Sequence, residues 1–379
     1  MVDTIKQVDV RLIQVPLDKP VSDAKVSQGK QTPLKEIMIT TVSITTDEGR
    51  EGFGYTYCKR HGGFSQYALA KEYAPLLIEE DPNDISRLWN KLLWSSISIG
   101  RSGIAVQSIT PFDIALWDLK AKRANLSITK LLGQYKEEVP CYNTTGGFLQ
   151  DPIEKVIENA QNVLEEGAGG IKIKVGQKDF MEDIRRVEEL RKALGDDVAI
   201  MADANQQWNL STALKVGRHL DNYDLVWLEE PVNAHDIEGH YQLSRNLETP
   251  IATGEMLTSL EEGVPYIERR AFDICQLDAP RIGGITQFKK IMDRAEEKQL
   301  VLAPHYSMEI HLPLVACYNG KVWVEHFEWF EQIGLFQEKV KMNKGMMEVP
   351  TKPGIGLSLN LEVADSLTIA KEMYNEKNM

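Results

Sequence analysis

The sequence predicts an α/β barrel joined to a smaller α+β unit, and three observations carry that prediction. From about Val139, short apolar runs alternate with helical patterns, the runs end on polar residues, and those ends recur at near-regular spacing. The eight runs are "VPCYNT", "GIKIKVG", "VAIMAD", "LVWLEEP", "IATGE", "ICQLD", "LVLAPH" and "VWVE". The ends at Lys174, Asp203, Glu229, Glu255, Asp278, His305 and Glu325 fall 20 to 29 residues apart. A strand, a helix and two short loops need about that length. Eight such units in series are the pattern of a (β/α)8 barrel, whose functional residues gather at the C-terminal strand ends. A doubly wound sheet competes, but no GxGxxG follows an early strand, and "GAGG" at 167–170 precedes its strand.

The N-terminal part reads differently. "EIMITTVSITTDEGREGFGYTYC" alternates apolar and polar residues around a "DEG" turn, as a β-meander does. Polar, loop-like stretches flank it, "SDAKVSQGKQTP" before and "KRHGGFS" after. The clearest helix is "TPFDIALWDLKAKRA", with Thr110 expected as N-cap, Pro111 at the first helical position, and Ile114, Trp117 and Ala121 on one stripe.

Composition narrows the function classes. The 379 residues are 42% hydrophobic and 26% charged, ordinary values for a globular protein. A formal net charge of −13 argues against nucleic acid or an anionic membrane as partner. "MVDTIKQVDV" has neither the basic end nor the apolar core of a signal peptide, and no apolar run is long enough for a bilayer. Cys58, Cys141, Cys275 and Cys317 are scattered without a CxxC pair, as expected of reduced thiols in a cytoplasmic enzyme.

The strand ends carry the chemistry. Asp203, Glu229 and Glu255 close three consecutive strands and so converge at one barrel mouth. Any one of these acids alone reads as a helix cap or a solvated loop residue. Three bare carboxylates at contact distance repel and raise one another's pKa. A hard divalent cation such as Mg2+, which takes oxygen ligands, resolves that repulsion. Lys172 and Lys174 lie two apart on one strand and face the same way. Their Cα atoms are about 6.6 Å apart, and two ammonium heads at that spacing repel by about 2.5 kcal/mol at an effective dielectric of about 20. That repulsion is expected to pull Lys174 toward neutrality and make it a base. Asp278 and His305 end adjacent strands across the barrel from Lys174. Their pairing is expected to raise the histidine pKa and set its tautomer, giving a second acid/base. Glu325, ending the eighth strand, is positioned to donate or accept a hydrogen bond to a substrate carboxylate.

In order and spacing, "KIK", "ADAN", "LEEP", "GE", the Asp278 and His305 pair and Glu325 resemble the enolase superfamily, mandelate racemase subgroup. "GRSGIAVQSITPFDIALWDLKAKRA", "CYNTTGGF", "TPIATGEMLTS", "DAPRIGGI" and "EHFEWF" are further similar to its acid-sugar dehydratases that take galactarate and L-talarate. The resemblance covers essentially the whole chain. It implies a capping domain of residues 1–130, completed by residues 356–379, over a modified (β/α)7β barrel of residues 131–355. It implies one Mg2+ held by Asp203, Glu229 and Glu255, with Glu230 behind them. Enolase-superfamily sites are a standard example of a Lys or His base working beside one or two Mg2+ ions.

The implied reaction begins with a proton taken from the carbon next to a carboxylate, by Lys174 on one face or His305 on the other. A metal-stabilised enediolate forms, with Lys172 tuning Lys174 and neutralising carboxylate charge. His305, backed by Asp278, then protonates the departing 3-hydroxyl, and the enol becomes a 2-keto-3-deoxy diacid. A dicarboxylate needs positive charge at its distal end. Lys25, Lys59, Arg60 and His61 sit in the two polar loops; Arg60 and Lys25 are the candidates there, with Thr144 and Asn205 for hydroxyl contacts. The expected protein is a cytoplasmic homo-oligomer. Racemisation or epimerisation of a hydroxy acid is the alternative activity, and a catalytically silent barrel used for binding is the alternative class.

Overall fold

The computed structural model describes residues 3–378. The N-terminal unit runs β1 (Ile5–Val21), α1 (Ala24–Ser27), β2 (Leu34–Thr46), β3 (Glu51–Lys59), α2 (Gly63–Tyr73), α3 (Ile85–Ser95), α4 (Ile104–Arg123) and α5 (Ile128–Leu132). The predicted meander is present: β1, β2 and β3 pair antiparallel in register around the 47–50 turn. Alternation gives the sheet two buried faces. Val8, Val10, Leu12, Met38 and Ile44 pack under the helices. Ile37, Ile39, Phe53, Tyr55 and Tyr57 face the other way, toward the barrel.

The structure corrects the start of α4. The helix opens after Gly103, seven residues before Pro111, so Thr110 and Pro111 lie inside it. Pro111 costs a backbone hydrogen bond, but every residue from Ala105 to Leu116 is buried, and that packing outweighs the loss. The helix lies directly on β3. A Cβ on Gly54 would stand 2.2 Å from the Pro111 carbonyl oxygen, so glycine is what permits the contact.

The barrel follows as β4 (Glu138–Asn143), α6 (Ile153–Glu165), β5 (Gly170–Lys174), α7 (Phe180–Leu194), β6 (Ala199–Asp203), α8 (Leu210–Leu220), β7 (Trp227–Glu229) and α9 (Ile237–Asn246). It continues as β8 (Ile251–Thr253), α10 (Leu260–Arg269), β9 (Ile274–Cys275), α11 (Ile285–Glu297), β10 (Val301–Leu302), α12 (Met308–Val315), β11 (Val324–His326) and α13 (Trp329–Gln332). All eight predicted strands are present. Strands β4 to β10 pair parallel in chain order. β11 pairs parallel with β4, and a Leu302–Val322 bridge completes the circle. The last strand is followed by one helical turn, so the barrel is (β/α)7β.

Side-chain oxygens of Asp179, Asn209, Asp236 and Ser259 accept the first free N–H groups of α7 to α10, which fixes where those helices begin. Val187, Leu190, Ala213 and Val216 pack on the outward residues Ile171, Ile173, Ile200 and Ala202. Inside, Tyr142, Met201, Trp227, Ala252, Ile274 and Ala303 form an apolar plug beneath the mouth.

The chain ends with β12 (Met342–Asn343), β13 (Met346–Glu348), α14 (Leu361–Leu367) and β14 (Thr368–Asn375). β14 pairs antiparallel with β1, so the chain returns to the N-terminal sheet, ordered β14-β1-β2-β3. Asp118 of α4 knots three segments together. Its buried carboxylate accepts from Phe53 N on β3 and from Ile355 N, each at 2.8 Å, and pairs with Lys122 at 2.6 Å.

Asp118→Ala strands two buried N–H groups, so we expect a loss of about 3 kcal/mol in urea unfolding. A loss below about 1 kcal/mol would show that the knot is not structural.

Candidate active site

Strand alternation brings the acids together. Met201 and Trp227 belong to the interior plug, so Asp203 and Glu229, two residues further on, also face inward. Glu255 is out of phase, three residues beyond Ala252. Gly254 corrects the phase: it sits at φ 135°, where a Cβ would stand 2.7 Å from Leu277 N. Only glycine turns the chain there. The outcome is a buried cluster in which one oxygen each from Asp203, Glu229 and Glu255 lie within 4.8 Å of one another.

An all-carboxylate donor set this compact fits a hard divalent cation such as Mg2+. Asn205 orients Asp203, donating to it from its backbone N–H at 2.8 Å and from Nδ2 at 3.0 Å. The Asn205 Oδ1 atom is buried with no partner among the described residues. Glu230 accepts from Gln206 at 2.8 Å, and burial, reinforced by Glu255, pushes its carboxyl well up.

The lysines pair with the acids. Lys172 Nζ lies 2.9 and 3.0 Å from the Glu229 oxygens, 2.9 Å from Glu325, and 5.4 Å above the Tyr142 ring. Lys174 pairs with Asp203. The predicted depression of Lys174 does not occur. Burial and Lys172 pull it down, but Asp203, Glu229 and Glu255 outweigh them and hold it above the ordinary lysine range. The acids that face the pair outweigh the repulsion between the two lysines. Burial, with Asp203 and Glu255, pushes Glu229 up to about 7 against Lys172. Lys172 itself is held firmly as the ammonium, because Glu229 and Glu325 overcome its burial. With Gln276 at 2.6 Å and Trp227 at 3.1 Å also donating to Glu229, the carboxylate is the form this pocket is built to hold.

Across the mouth, His305 Nδ1 lies 3.3 Å from Asp278 Oδ2 and 3.1 Å from the Tyr57 hydroxyl. His305 Nε2 lies 3.1 Å from Glu255 and 3.2 Å from Lys59 Nζ. The expected rise in the histidine pKa is reversed: burial, then the Lys59 cation, hold His305 well below its usual value. Asp278 cannot supply the full counter-charge, because burial pushes its own carboxyl up to about 7. Glu325 accepts from Lys172, from Tyr306 N at 2.6 Å and from Thr144 at 2.5 Å. Burial opposes its ionisation, but the Lys172 cation, with the hydrogen bonds from Lys172 and Thr144, prevails and holds it well below the usual carboxylate range. In this arrangement Glu325 accepts, which is one of the two roles expected of it.

A cavity of about 760 Å³ opens over these groups, lined by Lys172, Lys174, Asn205, Glu255, His305 and Glu325. Lys25, Arg60 and Thr144 line it too. They are not equivalent. Arg60 is spent on Asp23 at 3.3 Å and the Thr32 carbonyl at 2.9 Å. Lys25 makes no ion pair among the described residues. Thr144 is taken up by Glu325, and Asn205 by Asp203. Tyr57 and Arg281 also line the cavity and escaped the sequence reading, as did the placement of Lys59. A signal was present: in "YTYCK", Tyr55, Tyr57 and Lys59 share one strand face.

This barrel, with its acid cluster at the mouth and its cap, is that of an enolase-type enzyme. Residues 7–133 match the N-terminal domain of the mandelate racemase / muconate lactonizing enzymes, and residues 155–363 match the enolase C-terminal domain-like family. The chain belongs to the enolase superfamily. It is 51% identical over 358 residues to the L-talarate/galactarate dehydratase of Salmonella typhimurium, covering 94% of this chain and 89% of that protein. The crystal structure of that dehydratase with Mg and L-lyxarohydroxamate superposes with a TM-score of 0.96 at 49% identity, covering 99% of this chain and 95% of that one. An L-talarate dehydratase from a Polaromonas species, complexed with Mg and L-glucarate, gives 0.95 at 51% identity, covering 98% and 99%.

Asp203→Asn and Glu229→Gln should each weaken Mg2+ binding by at least about 100-fold in calorimetric titration without substrate, since ligand loss costs more than loss of a supporting contact. Unchanged affinity in either variant would remove that residue from the ligand set.

Proposed function

We propose that the protein is a Mg2+-dependent acid-sugar dehydratase acting on galactarate and L-talarate, as its relatives are named. One observation carries the reading. The cavity joins a three-carboxylate metal cluster to Lys174 and His305, which reach it from strands β5 and β10, three apart one way round the closed barrel and five the other. The same reading takes residues 1–130 with 356–379 as the cap, residues 131–355 as the barrel, and the cytoplasm as the setting of a homo-oligomeric enzyme.

Asp203, Glu229 and Glu255 would hold the Mg2+, which when bound neutralises the substrate carboxylate and makes the adjacent C–H acidic. Lys174, which the three acids hold as an ammonium while their charge is unmatched, would be released as the free amine once a bound cation neutralises them, and it then removes that proton. Lys172, fixed between Glu229 and Glu325, supplies permanent positive charge beside the carboxylate while staying out of proton transfer. His305, oriented by Asp278 and Tyr57, is the second acid/base group. Thr144 and Glu325 form one acceptor wall against substrate hydroxyls. Lys25, without an ion pair, receives the distal carboxylate, and Arg60 shapes that end while held by Asp23. Proton-transfer groups facing each other across the mouth equally suit epimerisation; C2 deuterium exchange without keto-acid formation would select that activity.

Incubation with Mg2+ and a panel of acid sugars should yield 2-keto acid from galactarate or L-talarate; no turnover of any aldarate overturns the reading. Lys174→Ala should abolish both C2 exchange and elimination while leaving Mg2+ binding intact, and retained exchange would move the base elsewhere. Lys25→Ala should raise KM for diacids by about 10-fold, the equivalent of about 1.4 kcal/mol, with little change for monoacids. Equal losses on both would remove Lys25 from the distal end.

A further inference from the structure

A second cavity, of about 230 Å³, lies between residues 338–341 and 348–357, the chain on either side of hairpin β12–β13. It shares no lining residue with the large cavity at the barrel mouth. Its walls are apolar, formed by Val340, Val349, Pro350, Ile355 and Leu357. Hydrogen bonds fix those walls in place. Val340 N donates to Glu331 at 2.7 Å, Ser358 N to Glu338 at 2.6 Å, and Glu348 N to the Lys341 carbonyl at 3.0 Å. The space is built into the fold.

One buried acid lines this apolar space. Glu309, near the start of α12, is only 7% exposed. Its Oε2 accepts from the Tyr55 hydroxyl at 3.2 Å, but Oε1 is buried with no partner among the described residues. Burial, with Glu331 adding to it, pushes the carboxyl up to about 7, as expected of an acid that lacks a counter-charge. An unmatched buried carboxylate is costly, and a charge-assisted N–H···O bond is the strong way to match it. None of the lysines around the cavity does so. Lys352 pairs with Glu338 at 3.0 Å and Lys341 with Glu348 at 3.7 Å, while Lys339 is exposed and makes no ion pair among the described residues.

We propose that this cavity is a second binding site, for a short aliphatic molecule with an ammonium at one end and a carboxylate at the other. The ammonium meets Glu309 Oε1, the methylene chain lies along Val340, Val349, Ile355 and Leu357, and the carboxylate stays at the rim with Lys339. Other small molecules fit less well. An anion would add charge beside Glu309, and an apolar molecule would leave Oε1 bare. The lining charges balance, with Glu309, Glu338 and Glu348 against Lys339, Lys341 and Lys352, so a zwitterion enters without net opposition. The site is independent of the dehydratase reading, since none of its residues belongs to the barrel mouth.

The probe is 5-aminopentanoate, titrated calorimetrically into the wild-type protein beside pentylammonium and pentanoate, which each lack one end. We expect millimolar or tighter binding of 5-aminopentanoate, with pentanoate at least about 10-fold weaker for want of the charge-assisted hydrogen bond. Pentylammonium should lose only about threefold, the worth of an exposed ion pair. Glu309→Gln should weaken 5-aminopentanoate by at least about 10-fold and Lys339→Ala by about threefold. Lys25→Ala, in the other cavity, should leave the affinity unchanged. Lys339 is exposed, so its variant reports on the site even where Glu309→Gln folds poorly. Absence of binding, equal affinity for pentanoate, or unchanged affinity in folded Glu309→Gln overturns the proposal and leaves the dehydratase reading untouched.

Discussion

Everything at the mouth follows from a charge balance that water cannot settle. Asp203, Glu229 and Glu255 bring their oxygens within 4.8 Å in a buried place. Unpaired anions there would cost several kcal/mol each, so the neighbouring strand β5 supplies two cations in the same phase. Lys172 is matched by Glu229 and Glu325, and Lys174 by Asp203. The balance requires β5, β6 and β7 to stay in strict register. A slip of one residue on any of them would turn the charge outward and an aliphatic side chain inward. The parallel pairing of Lys174 with Asp203 and of Asp203 with Glu229 is that register.

The cap is held to the same standard by backbone contact rather than by charge. Gly52 and Gly54 let α4 lie against β3 with no side chain between them. Asp118 ties β3 to α4 and to Ile355. With one face of β3 filled by the helix, Phe53, Tyr55, Tyr57 and Lys59 can only point at the barrel. Tyr57 then reaches Asp278 and His305, so the orientation of a barrel histidine depends on a strand some 250 residues earlier in the chain.

The barrel was legible because parallel strands and crossover helices repeat at a length set by geometry, and because a polar residue ended each run. Asp203, Glu229, Lys172 and Lys174 could be read by counting in twos. Glu255 could be counted as a strand end but not as an inward group, since its aim depends on the left-handed turn at Gly254. Proton affinities were less accessible still. The depression expected for Lys174 treated two lysines in isolation, whereas the fold sets three acids against them. The start of α4 was missed because Pro111 is a good local signal that tertiary burial overrides. Arg60 and Lys25 looked alike as loop cations; only the fold shows that Asp23 and the Thr32 carbonyl already occupy Arg60.

The uneven distribution of charge explains how so acidic a chain attracts an anion. The formal charge is −13, yet Lys25, Lys59, Arg60, Lys172, Lys174 and Arg281 all line one cavity. Potentials inside a concave, low-dielectric site follow the nearby groups rather than the total, because distant surface charges are screened within about 8 Å at physiological salt. Within that set the cations differ in how fully they are spent. Lys172 is saturated by two carboxylates, and Arg60 is taken up by Asp23 and the Thr32 carbonyl, so both are already engaged before anything enters. Lys59 and Lys25, with no ion pair among the described residues, keep their donors for whatever enters. On the reading proposed above, an anion drawn in by the whole cluster would be oriented by the cations that the fold has left unpaired.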